Sequence, residues 1–168
     1  MILVISDVHF AIDALRRVVG IGEPILILGD LVNLTDYRTG EGAIADVLGL
    51  EFARASATAR AAGDYQGMRD LWSEKAAEGF EAVRAEIGEA INAQYREVAT
   101  ALEGGKGYVI HGNVDRPGIL RDNLPPGFEY VHGKVIEIDG MRFGFAGSLM
   151  SSRIPFPEHA PAASPMDE

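Results

Sequence analysis

Three short apolar runs each end in a polar cluster, and this recurrence constrains the fold more than any other feature. Residues 2–6 lead into Asp7-Val8-His9, residues 24–28 into Gly29-Asp30, and residues 108–110 into His111-Gly112-Asn113. Apolar runs without alternation suit strands covered on both faces, as in a parallel sheet. Residues 11–19 carry Asp13, Arg16 and Arg17 among apolar neighbours and read as a short helix. The start is therefore β-α-β, with a right-handed crossover. In open α/β sheets, chemistry gathers at the carboxyl ends of the strands. The expected class is α/β, with three polar clusters at three such ends.

The length of 168 residues, 47% of them hydrophobic, suits a single domain with a packed core and excludes global disorder. No apolar run approaches the length of a membrane span. The N-terminus lacks a basic region and a small-residue cleavage site, so it reads as a buried strand. Zero cysteines exclude disulfides, thiolate metal sites and a cysteine nucleophile, which fits a cytoplasmic location. A net charge of −10 argues against duplex DNA as a partner. Metal ions could still supply local positive charge for a phosphorylated substrate.

Residues 41–103 differ in kind: they hold sixteen alanines, no proline, and twelve acidic against six basic residues. Apolar residues from Met68 through Trp72, Phe80, Ile87, Ile91, Tyr95 and Leu102 recur at steps of three or four, the stripe of a long helix. Gly63-Asp64 reads as a stop followed by an N-cap, and Gly79 and Gly88 as places where the helix bends or breaks. An earlier helix is expected over 42–61, interrupted near Gly49. The stretch reads as a helical insertion between strands 2 and 3, or as a plain crossover helix pair. Strands are expected at 128–131, 134–138 and 141–146, with Asp139-Gly140 as a hairpin signal. His132-Gly133 reads as a hairpin turn. Residues 151–168 form a proline-rich tail read as irregular.

Residues two apart in an extended chain point the same way, so Asp7 and His9 offer a carboxylate and an imidazole to one point. That is half a site for manganese, iron or zinc; Asp7 as a cap on the following helix is the alternative. Asp30 projects from a strand end after a glycine, and one carboxylate can bridge two cations about 3.5–4 Å apart. A turn aspartate is its plainer reading. Asn113 offers a neutral oxygen ligand. Asp115 can orient neighbours, and Arg116 can grip a phosphate in bidentate fashion, in a turn ended by Pro117. Gly104-Gly105-Lys106-Gly107 is a poor P-loop, since no Ser or Thr follows and a strand comes next.

The order D-x-H, G-D-x-x-N, G-N-x-D, each after a buried strand, closely resembles the calcineurin-like metallophosphoesterase superfamily, over residues 1–116 by motif. The resemblance implies a two-sheet α/β sandwich whose second sheet takes in the short strands up to about Gly147. It implies a dinuclear centre: Asp7 and His9 on the first metal, Asp30 bridging, Asn113 on the second. Asn33 and His111 would support them from behind, and Asp30, Asn113, Asp115 and Arg116 would form the catalytic set. Manganese is the first choice of metal, with iron, zinc or nickel as alternatives. The implied activity is hydrolysis of phosphomonoesters or phosphodiesters, of a small molecule or nucleotide, by a hydroxide activated between two cations.

Val114 stands where the family has a histidine, which tilts the expectation toward diesters. The family completes its metal shells with later histidines and a G-H-x-H motif. This chain has only His9, His111, His132 and His159. The expectation is thus one incomplete metallophosphoesterase domain over 1–168, lacking its C-terminal strands, with an open sheet edge that favours homo-oligomers. The alternative is a non-catalytic scaffold of the same fold, docking through the acidic insertion. A haloacid-dehalogenase-type phosphatase would need an aspartate where His9 stands.

Overall fold

A computed structural model describes residues 1–77 and 79–147. Strands β1 (Leu3–Ile5), β2 (Ile25–Ile27), β3 (Gly107–Val109) and β4 (Phe128–Tyr130) form a parallel sheet in the order β1-β2-β3-β4. The register aligns Val4, Leu26, Tyr108 and Glu129 across the sheet. Helix α1 (Ile12–Val19) connects β1 to β2. Between β2 and β3 run α2 (Ala43–Leu48), α3 (Leu50–Ala61), α4 (Tyr65–Ala77) and α5 (Phe80–Leu102). Helix α6 (Pro117–Asn123) joins β3 to β4, and β5 (Val135–Ile138) pairs antiparallel with β6 (Met141–Gly144). The molecule is mixed α/β.

The central strand β2 is covered on both faces, which explains its continuous apolar run. Strand β1 is not the fully buried strand its sequence suggested, since Val4 at the sheet edge is 56% exposed. On one face, Ile25, Ile27 and Val109 meet Leu15 of α1, Ile91, Tyr95, Val98 and Leu102 of α5, and Leu120 of α6. On the other, Leu26, Ile110 and Val131 meet Ile136 and Ile138 of β5 and Phe143 and Phe145 of the β6 arm. Each such side chain, fully buried, contributes about 1.5–3 kcal/mol. A third cluster packs the helices between β2 and β3 together: Ile44, Ala53, Met68 and Trp72, with Phe52 edge-on to Trp72 at 5.1 Å.

The helix breaks fall where glycine permits them. Gly49 separates α2 from α3, and Gly63 ends the turn after α3 at φ 72°. Asp64 then caps α4, its Oδ1 accepting the Gly67 amide at 2.8 Å. Gly79, at φ 141°, precedes α5, whereas Gly88 lies inside it without interrupting it. The packed face of α5 outweighs the local cost of a glycine there. Asp139 and Gly140, at φ 51° and 78°, make the tight turn of the β5–β6 hairpin.

Three expectations need correction. Residues 128–130 do not join a second sheet; they pair in parallel with β3, because α6 carries the chain back across the sheet. His132-Gly133 is consequently a turn between two sheets and not a hairpin between paired strands. Pro117 does not end a turn but opens α6, where its missing N–H would be unpaired anyway. The tail expected over 151–168 lies outside the described residues. Among the described residues, no helix is long and apolar enough to cross a membrane.

Candidate metal centre

Asp7 and His9 follow β1, Asp30 follows β2, and Asn113 follows β3. Parallel pairing sets these ends side by side, and the loops are then stitched directly. The His9 amide donates to the Asp30 carbonyl at 2.7 Å, and the Phe10 amide to the Leu31 carbonyl at 2.9 Å. The Val114 amide donates to Asp30 Oδ1 at 2.9 Å.

One ligand atom each from Asp7, His9 and Asp30 lies within 4.8 Å of the others. His9 Nε2 and Asp7 Oδ1 are 3.9 Å apart. Asp7 does not cap α1, whose N-cap is Ala11 with no side-chain cap bond. Among the described residues, five non-glycine residues have positive φ: Asp7, His9, Phe10 and Asp30 here, and Asp139 in the hairpin turn. Left-handed backbone costs an L-residue about 1–2 kcal/mol, least for Asp, Asn and His. Such strain clusters where side chains are aimed for function.

Two glycines permit close approach between these loops. A Cβ on Gly29 would stand 2.0 Å from the Gly112 amide nitrogen, and one on Gly112 would stand 2.2 Å from Asp30 Oδ1. Backbone thus meets carboxylate without a side chain between them. Asn113 is exposed and lies between Gly112 and Val114, the two residues that touch the Asp30 carboxylate.

Asp115 orients its neighbours from a buried position, as a clamp between two loops. Its Oδ1 accepts the Leu31 amide at 3.0 Å and the Tyr95 hydroxyl at 3.1 Å, and its Oδ2 accepts the Gly112 amide at 2.9 Å. It therefore ties the loop after β2 to the loop after β3. Burial first, and the Asp115 charge after it, push the Tyr95 hydroxyl well above the usual phenol range. Tyr95 stays a neutral donor.

The preceding residue, Gln94, braces Asn33: its Oε1 accepts the Asn33 amide at 2.7 Å and its Nε2 donates to the Asn33 carbonyl at 3.0 Å. The Asn33 side chain donates to the Glu41 carbonyl at 3.3 Å, so it fixes the approach to α2. Sequence reasoning missed Gln94 altogether; Tyr95 is core, as its place on the apolar stripe suggests, and its hydroxyl has a second role that the stripe does not show. A buried glutamine beside a tyrosine on an apolar stripe was the available signal.

His111 is buried, with Nδ1 against the Tyr130 hydroxyl and its ring 4.6 Å from that of His132. Burial first, then the His132 charge, hold its pKa below the usual histidine value. Its ring contacts are thus with β4 and the turn after it. The Arg116 amide donates to the Tyr95 hydroxyl at 2.7 Å, and its guanidinium reaches α5 at Gly88.

Two carboxylates and an imidazole at these separations fit a hard or borderline divalent cation. The chain matches no protein-family model, no curated protein and no solved structure.

Proposed function

We propose that this chain is a metal-dependent phosphoesterase domain of the calcineurin-like metallophosphoesterase type, a two-sheet sandwich carrying its ligands at parallel strand ends. The observation that supports it most is the convergence of Asp7, His9 and Asp30 within 4.8 Å on positive-φ backbone. Asp7 and His9 would hold one divalent cation, Asp30 would bridge, and Asn113 would serve a second. Manganese is the first candidate, with iron, zinc and nickel behind it. Bound there, the cations supply an acidified water and positive charge for a phosphoryl group.

The chain's own residues account for the rest of the arrangement. The Val114 amide fixes one Asp30 oxygen and with it the set of the whole carboxylate. Asp115 holds the two loops in register and so fixes the spacing of Asp30 and Asn113. Arg116 is the cation available for a phosphate oxygen. The substrate class is a phosphomonoester or phosphodiester, a small molecule or nucleotide.

Turnover of p-nitrophenyl phosphate and bis-p-nitrophenyl phosphate with manganese tests the reading. Wild type should turn over at least one of them, and Asp30→Asn should lose about a hundredfold or more. Equal, negligible rates in both proteins would overturn the enzyme reading in favour of a scaffold.

A further inference from the structure

Arg116 leaves the same loop as Asn113, and its backbone is fixed by Tyr95. Its side chain crosses to the insertion, where Nη1 lies 3.7 Å from the place of a Cβ on Gly88 of α5. Arg84 lies one helical turn before Gly88, on the helix face that Arg116 reaches. Burial first lowers the Arg116 pKa; Tyr95 opposes this, and the Arg84 charge adds to it.

Neither guanidinium has an ion-pair partner among the described residues. That holds although the chain carries 25 carboxylate side chains against 15 Lys and Arg. Asp7 and Asp30 are also beyond ion-pair reach of Arg116, so its charge is not spent on the metal ligands. Two like charges brought together without a counter-ion repel, and an anion between them reverses the sign of that interaction. A phosphate group suits this best, since its oxygens can take N–H donors from two guanidiniums at once.

We propose that Arg84 and Arg116 form an anion subsite for a second, non-scissile phosphate, so that the preferred substrate is a phosphoester carrying a further phosphate group. Its purpose rests on the phosphoesterase reading, whereas the subsite itself is measurable without metal.

The test is calorimetric titration of the full chain with pyrophosphate in EDTA. Arg84→Gln and Arg116→Gln should each weaken binding about tenfold. Arg84→Lys should restore part of it. Arg16→Gln, which removes a charge paired with Asp13, should bind as wild type does. In manganese, Arg84→Gln should raise KM for a substrate with a second phosphate, leaving kcat and the KM for p-nitrophenyl phosphate unchanged. Arg84→Gln binding pyrophosphate as tightly as wild type would overturn the subsite. Intact pyrophosphate binding in EDTA with no turnover of any substrate would overturn the phosphoesterase reading and leave the anion site standing.

Discussion

The Tyr95 hydroxyl donates to Asp115 Oδ1 at 3.1 Å while accepting the Arg116 amide at 2.7 Å. One phenol on α5 thereby anchors the loop that carries Asn113. Tyr95→Phe removes both bonds and leaves a partly buried amide unpaired. It should lower the unfolding free energy by about 1–3 kcal/mol, read from the urea midpoint. Asp115→Asn should cost more, because one side-chain N–H must then face a backbone N–H.

The same tyrosine sets an alkaline limit. Its pKa is raised in the folded chain, by burial first and Asp115 second, from an ordinary value of 10.0. Below that value both states hold the proton and Tyr95 contributes no slope. Above it the unfolded chain releases the proton and the folded chain keeps it, so stability falls as pH rises. Urea titrations between about pH 9 and 11 should show a shallower decline for Tyr95→Phe than for wild type.

Asp30 separates folding from metal binding. The side-chain amide in Asp30→Asn would keep an oxygen for the Val114 amide and lose the charge. Asp30→Asn should therefore unfold within about 1 kcal/mol of wild type. It should also lose the rise in melting temperature that manganese gives wild type. Asp30→Ala should lose both, since the partly buried Val114 amide is then unpaired. A full manganese shift in Asp30→Asn would count against this residue as a ligand.

Gly112→Ala places a methyl group 2.2 Å from Asp30 Oδ1 and 2.5 Å from the Asp30 amide nitrogen. Neither neighbour is the free end of a flexible side chain, so a loop must move. Expected losses are about 1–3 kcal/mol in stability together with the manganese-induced shift. Gly118→Ala, with open space around its Cβ, is the matched control.

Much of the architecture was legible because its signals are local. Apolar runs at 2–6, 24–28 and 108–110 gave β1, β2 and β3, which pair in parallel. Gly49, Gly63 with Asp64, and Gly79 marked helix ends, and Asp139-Gly140 marked a hairpin, since backbone conformation at such positions depends on the residue itself. Helix α6 and the placement of β4 were not legible. Proline suits both a turn and a first helical position, and three residues carry no record of which sheet they join.

The sequence by itself determined the α/β class and the motif residues Asp7, His9, Asp30 and Asn113 at strand ends, because those properties follow from chain order and local pattern. Only the tertiary structure decided that Asp115 ties Leu31 to Gly112, that Gln94 and Tyr95 hold the loops, and that the Arg116 side chain reaches α5 at Gly88. Leu31 and Asp115 are 84 positions apart. A bond across that distance depends on how the intervening helices fold back, and no local pattern of residues encodes it.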